Sequence, residues 1–317
     1  MDNMITRRKF VGMSAATGAA ILAGRVSTGL AAGSTSVPGA AANATFKIGG
    51  DLEVNRLGFG AMRITGEDVW GWPPDRANAV NVLKRAVALG VNLIDTADAY
   101  GPKTSELLIA EALHPYPKDL VIATKGGVTR PSAPAWVPNG RPDYLKKCVD
   151  ESLQRLRLER IDLYQLHRID PKVPVEESLG ALKEAQQAGK IRHIGLSEVS
   201  EAEIERARKI VSIVSIQNRY NFDDRKWDSA LAYCEKENLG FLPWAPVGGK
   251  RGLSGSALEA VAKAHNATVY QVGLAWLLQR SPVMLPIPGT QNVQHVEDNM
   301  AATKLKLTPE EWKSLAA

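Results

Sequence analysis

The chain has 317 residues, 44% of them hydrophobic and 23% charged, which is the composition of an ordinary globular protein. Its length is enough for one (β/α)8 barrel, a fold that takes about 250 residues. The formal net charge is +5, but +3 of it lies in residues 1–44, and the remaining +2 excludes a broad basic surface for nucleic acid.

The first 44 residues are predicted to be an export signal that takes no part in the fold. Arg7, Arg8 and Lys9 precede a weakly apolar run at 12–24, and a linker rich in Ala, Gly, Ser and Thr follows. Twin arginines before such a run are typical of a bacterial Tat signal, and the run is too short to span a membrane as a helix. We therefore expect the Tat machinery to export the protein to the periplasm or beyond. A basic tail on a cytoplasmic protein is the alternative.

Residues 45–317 show the pattern of an α/β protein, a (β/α)8 TIM barrel with an N-terminal β-hairpin. Residues 46–54 are predicted to form the hairpin, turning on Gly49 and Gly50. Short apolar runs then alternate with amphipathic stretches of helical period. The predicted strands are 57–62, 92–95, 120–125, 161–167, 191–196, 214–217, 240–244 and 284–287. The predicted helices include 76–89, 142–156, 175–188, 201–210, 228–237 and 269–279, with a last one starting at Thr308-Pro309.

Three long connections are expected on the face where the strands end, at 63–75, 126–141 and 168–174. Long loops on this face usually form the substrate pocket of a barrel. Trp70, Trp72 and Trp136 lie in them. These side chains are expected either to line the pocket or to pack as part of a lid.

Four side chains follow the ends of three successive predicted strands: Asp95, Tyr100, Lys125 and His167. In a barrel these positions converge on one face, where the active site is built. A lysine at the end of an apolar strand is costly to bury unless a charge is paired with it. A phenol, an ammonium, a carboxylate and an imidazole together form a proton-donating site suited to the reduction of a carbonyl.

From Phe46 to Ala317 the chain resembles the aldo-keto reductase family. The resemblance rests on Asp95 to Tyr100, Lys125 and His167, and on three further segments, at 195–197, 217–221 and 287–299. Segments 54–62 and 275–282 are similar to a bacterial branch that includes pyridoxal reductases. The resemblance implies reversible NAD(P)H-dependent reduction of a small aldehyde or ketone, and the low charge of the body gives no reason to expect a nucleic-acid partner. A cofactor-bound sensor or binding subunit on the same barrel is the alternative.

The resemblance also implies roles for the four side chains. Tyr100 is expected to donate the proton, and Lys125 to lower the pKa of the phenol, because a nearby ammonium favours the phenolate. Asp95 is expected to hold Lys125 charged and in place. His167 is expected to orient the substrate oxygen and, with Tyr100, to stabilise charge that develops on it.

The cofactor is expected to be NADP(H), with NAD(H) possible. Glu198 stands where the family has Asn, Trp244 where it often has Tyr, and Gly289 and His295 where it has basic residues. Lys250 and Arg251 are therefore expected to compensate at the phosphates. The residues implied in cofactor binding are Met62, Asp95, Ser197, Glu198, Gln217, Trp244, Gly248, Lys250, Arg251, Gly289, Thr290, Asp298 and Asn299.

No metal site is expected, since the sequence has no Cys-x-x-Cys, His-x-His or His-Glu-x-x-His spacing. The two cysteines, Cys148 and Cys234, fall in separate predicted helices. They are expected to pack as small buried hydrophobes rather than to form a disulfide.

Overall fold

A computed structural model describes residues 45–316, so the predicted signal and linker at 1–44 lie outside the described part of the chain. The described chain begins with the expected hairpin, in which β1 (Thr45–Ile48) and β2 (Leu52–Asn55) pair antiparallel. Gly49 and Gly50 both have positive φ, which the tight turn requires. Phe46 and Ile48 pack beside Gly240, at the start of a barrel strand. The hairpin therefore covers the N-terminal end of the barrel.

The barrel wall is a parallel sheet of seven strands in the order β11-β10-β9-β8-β5-β4-β3. Their side chains are almost all buried, because helices cover one face of the sheet and the barrel interior fills the other. The strands are β3 (Phe59–Gly60), β4 (Leu93–Asp95), β5 (Val121–Gly126), β8 (Ile161–Leu166), β9 (Ile191–Ser197), β10 (Ile213–Gln217) and β11 (Gly240–Phe241). A small hairpin of β6 (Val128–Thr129) and β7 (Val137–Pro138) lies in the loop after β5.

The eighth side of the barrel is closed by the segment at 283–288, which forms a single bridge, Phe241 to Met284, instead of the predicted strand. Leu285 N–H donates to Phe241 O at 2.8 Å on one side, and Gly58 N–H donates to Pro286 O at 2.9 Å on the other. The backbones approach so closely that a Cβ on Gly60 would lie 2.5 Å from Ile287 O. Glycine is therefore required at this seam.

Two other predicted strands are shorter than expected. The first was expected at 57–62, but after Gly60 the chain turns into a 3₁₀ helix, Ala61–Ile64, that carries Met62 into the cleft. The seventh was expected at 240–244, but regular pairing ends at Phe241. At the top of the barrel both strands continue into loops, and regular pairing with the neighbouring strands ends there.

Helices pack around the sheet and agree with the predicted ones to within a few residues. Thr308 and Glu311 form the expected capping box, with Glu311 N–H donating to Thr308 Oγ1 at 3.2 Å. Helices α2, α7 and α9 were not among the predicted elements. The helices are α1 (Arg76–Ala88), α2 (Thr104–Leu113), α3 (Pro142–Leu156), α4 (Val175–Gln187), α5 (Glu201–Arg208), α6 (Asp228–Glu237), α7 (Ser256–Ala264), α8 (Val269–Arg280), α9 (Val293–Ala301) and α10 (Pro309–Ala316).

Both cysteines are buried and unpaired, Cys148 in α3 and Cys234 in α6, as expected. Burial raises the pKa of both thiols, so neither is a reactive thiolate at neutral pH. Within residues 45–316, no helix is long and apolar enough to cross a membrane.

Candidate active site

A buried ion pair joins the ends of two neighbouring strands. Lys125 in β5 is fully buried, and its Nζ lies 2.6 Å from Asp95 Oδ2 at the end of β4. The same Nζ donates to Thr96 O at 2.8 Å and lies 3.3 Å from the Tyr100 hydroxyl. Burial alone would lower the pKa of Lys125, but Asp95 and Tyr100 outweigh it, so the pKa is raised. The side chain is therefore a charged ammonium.

Asp95 is held from its other side by two amides. Its Oδ1 accepts from Gln217 Nε2 at 2.7 Å and from Gln165 Nε2 at 3.2 Å. Both glutamines are buried, Gln165 in β8 and Gln217 at the end of β10. With Oδ2 on Lys125, the carboxylate has partners on both oxygens, which is what a buried charge requires.

Tyr100 lies in the turn after β4, with its ring edge-on to His167 and to Trp136 at centroid distances of 5.8 and 6.2 Å. Burial raises the pKa of the phenol, whereas the Lys125 charge lowers it, and the net direction is upward. Lys125 lowers the pKa of Tyr100, as expected, but not enough to bring it below its ordinary value. The desolvation of a nearly buried phenol outweighs the ammonium.

His167 directly follows β8, and its backbone N–H donates to Gly126 O at 2.9 Å. Burial lowers the pKa of His167 well below its ordinary value, and the charges of Lys125 and two arginines lower it further. The imidazole is therefore neutral at pH 7, with one N–H donor and one acceptor. Its Nδ1 is buried without a hydrogen-bond partner in the described part of the chain.

Tyr100 and His167 face a cleft of about 1500 Å³ that runs across the top of the barrel. From them the cleft passes Ser197 and Gln217, at the ends of β9 and β10, and then Trp244, which lies in the loop after β11. It then reaches two loops, and the lining residues there include Gly248, Lys250, Arg251, Gly289 and Thr290. The cleft thus connects three of the four expected catalytic side chains, Asp95, Tyr100 and His167, to most of the expected cofactor residues, while Lys125 lies buried beneath it.

Ser197 and Gln217 present complementary groups to this cleft. Ser197 Oγ accepts from Arg168 Nη1 at 3.0 Å, which leaves its hydroxyl hydrogen to donate. The Gln217 amide nitrogen donates to Asp95 at 2.7 Å, so the amide oxygen remains an acceptor. One donor and one acceptor at neighbouring strand ends match the amide of a nicotinamide carboxamide. The residues present therefore fit a nicotinamide cofactor.

Glu198 does not line the cleft, although it was expected to contact the cofactor. Its Oε1 accepts from Arg219 N–H at 2.6 Å and from Trp244 Nε1 at 2.7 Å. Glu198 itself has a positive φ of 56°, an uncommon conformation for a residue with a side chain. The carboxylate thus fixes the orientation of the Trp244 ring at the cleft wall.

The far end of the cleft carries exposed cations. Lys250 and Arg251 form a 3₁₀ turn after Gly248, and Lys250 Nζ lies 3.2 Å from Asp68 of the opposite loop. Both side chains of this pair are largely exposed. Gly289 lines the cleft, whereas the exposed His295 lies beside Thr290, with Nδ1 3.3 Å from its hydroxyl.

Asp298 and Asn299 were expected at the cofactor site, but the structure places them on α9, outside the cleft lining. Asp298 instead receives two glutamine amides, from Gln271 at its carbonyl and from Gln294 at its carboxylate. The Gln271 contact ties α9 to α8, and the Gln294 contact lies within α9.

The three loop tryptophans differ in their surroundings. Trp136 lines the cleft beside Tyr100 and His167. Trp70 and Trp72 are exposed and do not line it, and Trp72 packs under the Arg76 guanidinium. The pocket hypothesis therefore fits Trp136, and lid packing fits the other two.

Arg130 organises these loops and was not identified from the sequence. Its buried guanidinium stacks on Trp136 at 3.7 Å and donates to four backbone carbonyl oxygens of three loops. The acceptors are Asp68, Val69, Ala99 and Ala133. An arginine in a long loop gives no sequence signal for such a role. By contrast, Arg168 and Gln165, which were also missed, adjoin His167 at a strand end and could have been found by that position.

The described residues contain no cluster of three or more His, Cys, Asp or Glu side chains able to hold a metal ion. The site combines a phenol, an ammonium and an imidazole beside a cleft that fits a nicotinamide.

Comparison with known proteins places this site in a family. The aldo/keto reductase family profile matches residues 56–255 and 253–317, and the chain belongs to that family. It is 46% identical over 272 residues to an uncharacterized oxidoreductase of Schizosaccharomyces pombe, covering 86% of this chain and 88% of the relative. It is 44% identical over 277 residues to pyridoxine 4-dehydrogenase of Escherichia coli, covering 86% and 96%.

Solved structures agree with the fold. A thermostable aldo-keto reductase in complex with the inhibitor epalrestat superposes with a TM-score of 0.76 at 33% identity, covering 86% of this chain and 98% of that one. The expected fold, a (β/α)8 barrel with an N-terminal hairpin, is thereby confirmed.

The buried pair generates a stability prediction. Asp95→Asn leaves the fully buried Lys125 ammonium without its counter-charge, and we expect a loss of about 3–5 kcal/mol in the free energy of unfolding. Glu184→Gln, which breaks the exposed Lys146–Glu184 pair, is the control and should cost less than about 1 kcal/mol. Urea unfolding followed by circular dichroism measures both. Equal losses in the two variants would contradict the assignment of Lys125 as charged.

Proposed function

We propose that this protein is an NAD(P)H-dependent oxidoreductase that reduces an aldehyde or ketone to an alcohol, reversibly. The observation that carries the proposal is the Tyr100 hydroxyl, 3.3 Å from a charged Lys125 and on the same cleft as His167. A sensor or binding subunit has no need of this complete set of proton-donating groups. Family membership and oxidoreductase relatives favour the enzyme over that alternative.

Tyr100 donates the proton in this proposal. Its raised pKa keeps the phenol protonated at neutral pH, and the adjacent Lys125 ammonium stabilises the phenolate that forms as the proton leaves. The neutral imidazole of His167 donates a hydrogen bond to the substrate oxygen and orients it. The nicotinamide cofactor, when bound, supplies the hydride.

Ser197 and Gln217 would hold the nicotinamide carboxamide, and Trp244 would stack on the ring. At the other end of the cleft, Lys250 and Arg251 would meet the 2′-phosphate. Lys250 is held only by an exposed pair with Asp68, which is worth less than about 1 kcal/mol. A phosphate can replace Asp68 at little cost, so we propose NADP(H) as the preferred cofactor.

Pyridoxal-like aldehydes are the first substrates to test. The similarity to pyridoxine 4-dehydrogenase covers nearly the whole of that relative. Trp136 lines the cleft beside Tyr100 and His167, and an aromatic aldehyde can pack against the part of the indole that Arg130 leaves uncovered.

The proton donor is tested by Tyr100→Phe, which removes the hydroxyl and keeps the ring packing. We expect carbonyl reduction to fall by about 10²–10⁴-fold, the usual contribution of general acid catalysis. Nucleotide affinity, measured by fluorescence titration, should stay within about twofold. Retention of more than about a tenth of the activity would contradict the assignment of Tyr100 as the proton donor.

The phosphate site is tested by the double variant Lys250→Ala, Arg251→Ala. Losing two charge-assisted contacts of roughly 1.5–3 kcal/mol each should abolish any preference for NADPH over NADH. Asp68→Asn is the matched control, because it frees Lys250 without removing a cation, and it should keep or increase the preference. The preference is measured by titrating NADPH and NADH into the native protein, the double variant and Asp68→Asn. An unchanged preference in the double variant means that the phosphate is held elsewhere.

We also propose that the protein is exported through the Tat pathway, on the basis of Arg7, Arg8 and the apolar run after them. Replacing both arginines by lysine should leave full-length protein in the cytoplasm. The native chain should appear shortened outside the inner membrane. Fractionation followed by mass spectrometry of the N-terminus is the measurement, and native protein found intact in the cytoplasm would refute export.

A further inference from the structure

Arg168 occupies the reacting end of the cleft and has no part in the mechanism above. It follows His167 at the end of β8 and is half-buried in the cleft lining. Its Nη1 donates to His167 O at 2.6 Å and to Ser197 Oγ at 3.0 Å. These two contacts fix the guanidinium between the expected catalytic groups and the expected carboxamide site.

The rest of this guanidinium is available to a ligand. Its Nε and Nη2 form no hydrogen bond within residues 45–316, and Arg168 takes part in none of the ion pairs found there. Glu198 is the carboxylate whose charge acts on Arg168 most strongly. However, Glu198 Oε1 is engaged by Arg219 N–H and by Trp244 Nε1.

Within residues 45–316 no carboxylate forms an ion pair with Arg168, although the charge of Glu198 acts on it. Lys125 is balanced by Asp95 at 2.6 Å, while Tyr100 and His167 are neutral. Arg130 has both terminal nitrogens bound to loop carbonyls. An arginine with three N–H groups directed at no protein acceptor is suited to bind an oxyanion, because its planar fork matches two oxygens.

We propose that Arg168 selects substrates that carry an oxyanion close to the reacting carbonyl. The class comprises 2-oxo acids and aromatic aldehydes with an ionised ortho-hydroxyl, which includes pyridoxal-like compounds. This inference rests on the proposed function, because it places the carbonyl oxygen at Tyr100 and His167. Arg168 is then a specificity-determining residue, and its contact with Ser197 ties the substrate side of the cleft to the cofactor side.

The test compares phenylglyoxylate with methyl phenylglyoxylate, which share the ketone and the ring and differ in charge. Relative to the ester, we expect Arg168→Met to lower kcat/KM for the acid by about 10- to 100-fold, mostly through KM. Arg168→Lys should restore part of the selectivity. Arg219→Met is the control, since Arg219 lines the same cleft but pairs with Asp224 at 2.9 Å. It should leave the acid-to-ester ratio unchanged.

A second measurement does not depend on turnover. Benzoate and benzamide are titrated calorimetrically into the native protein and into Arg168→Met. We expect native protein to prefer benzoate by about tenfold or more, and the variant to lose that preference. An unchanged acid-to-ester ratio in Arg168→Met, or equal native affinities for benzoate and benzamide, overturns the inference about Arg168. A benzoate preference without reduction of any carbonyl would instead overturn the proposed function and leave an anion-binding cleft.

Discussion

The buried Lys125–Asp95 pair is the constraint on which the top of the barrel depends. An ammonium without solvent exposure is tolerated only with a counter-charge and complete hydrogen bonding. Asp95 supplies the counter-charge, and the Lys125 Nζ also donates hydrogen bonds to Thr96 O and to the Tyr100 hydroxyl. Two glutamines, one from β8 and one from β10, donate hydrogen bonds to the Asp95 carboxylate. These contacts fix the ends of β4, β5, β8 and β10 relative to one another. The same network places the phenol where an ammonium can stabilise its conjugate base.

The sequence predicted this network because strand ends in a barrel converge, so Asp95, Lys125 and His167 could be brought together from their spacing alone. The sequence did not predict that the pKa of Tyr100 is raised overall, because that direction depends on how completely the loops bury the ring. It gave no indication that Trp244 and Arg219 would engage the carboxylate of Glu198, which was expected at the cofactor site. A strand was also predicted at 284–287, but this segment forms only a single bridge. Its apolar pattern does not reveal that regular strand pairing fails there.

The loops above the network are ordered by a different interaction. Asp68 and Val69 both have positive φ, which is strained for a β-branched residue such as Val69. Their carbonyl oxygens accept from Arg130, which also binds Ala99 O, next to Tyr100. The guanidinium therefore holds a strained turn, the Trp136 wall and the Tyr100 turn together. Such a residue can be identified only once the three loops are seen in contact, since it lies in none of the regular elements.

Cations without a buried counter-charge lie at the two ends of the cleft. Lys125 is neutralised by Asp95, and Arg130 is committed to backbone carbonyls, so neither attracts a ligand. Arg168 at one end and Lys250 with Arg251 at the other remain for anions, with the apolar wall of Trp244 between them. Lys250 forms only an exposed ion pair with Asp68, and replacing Asp68 by a phosphate would cost little free energy. Under the proposed function, this charge pattern favours a cofactor whose phosphates lie at the far end and a substrate whose oxyanion lies at the reacting end, with Ser197 between them.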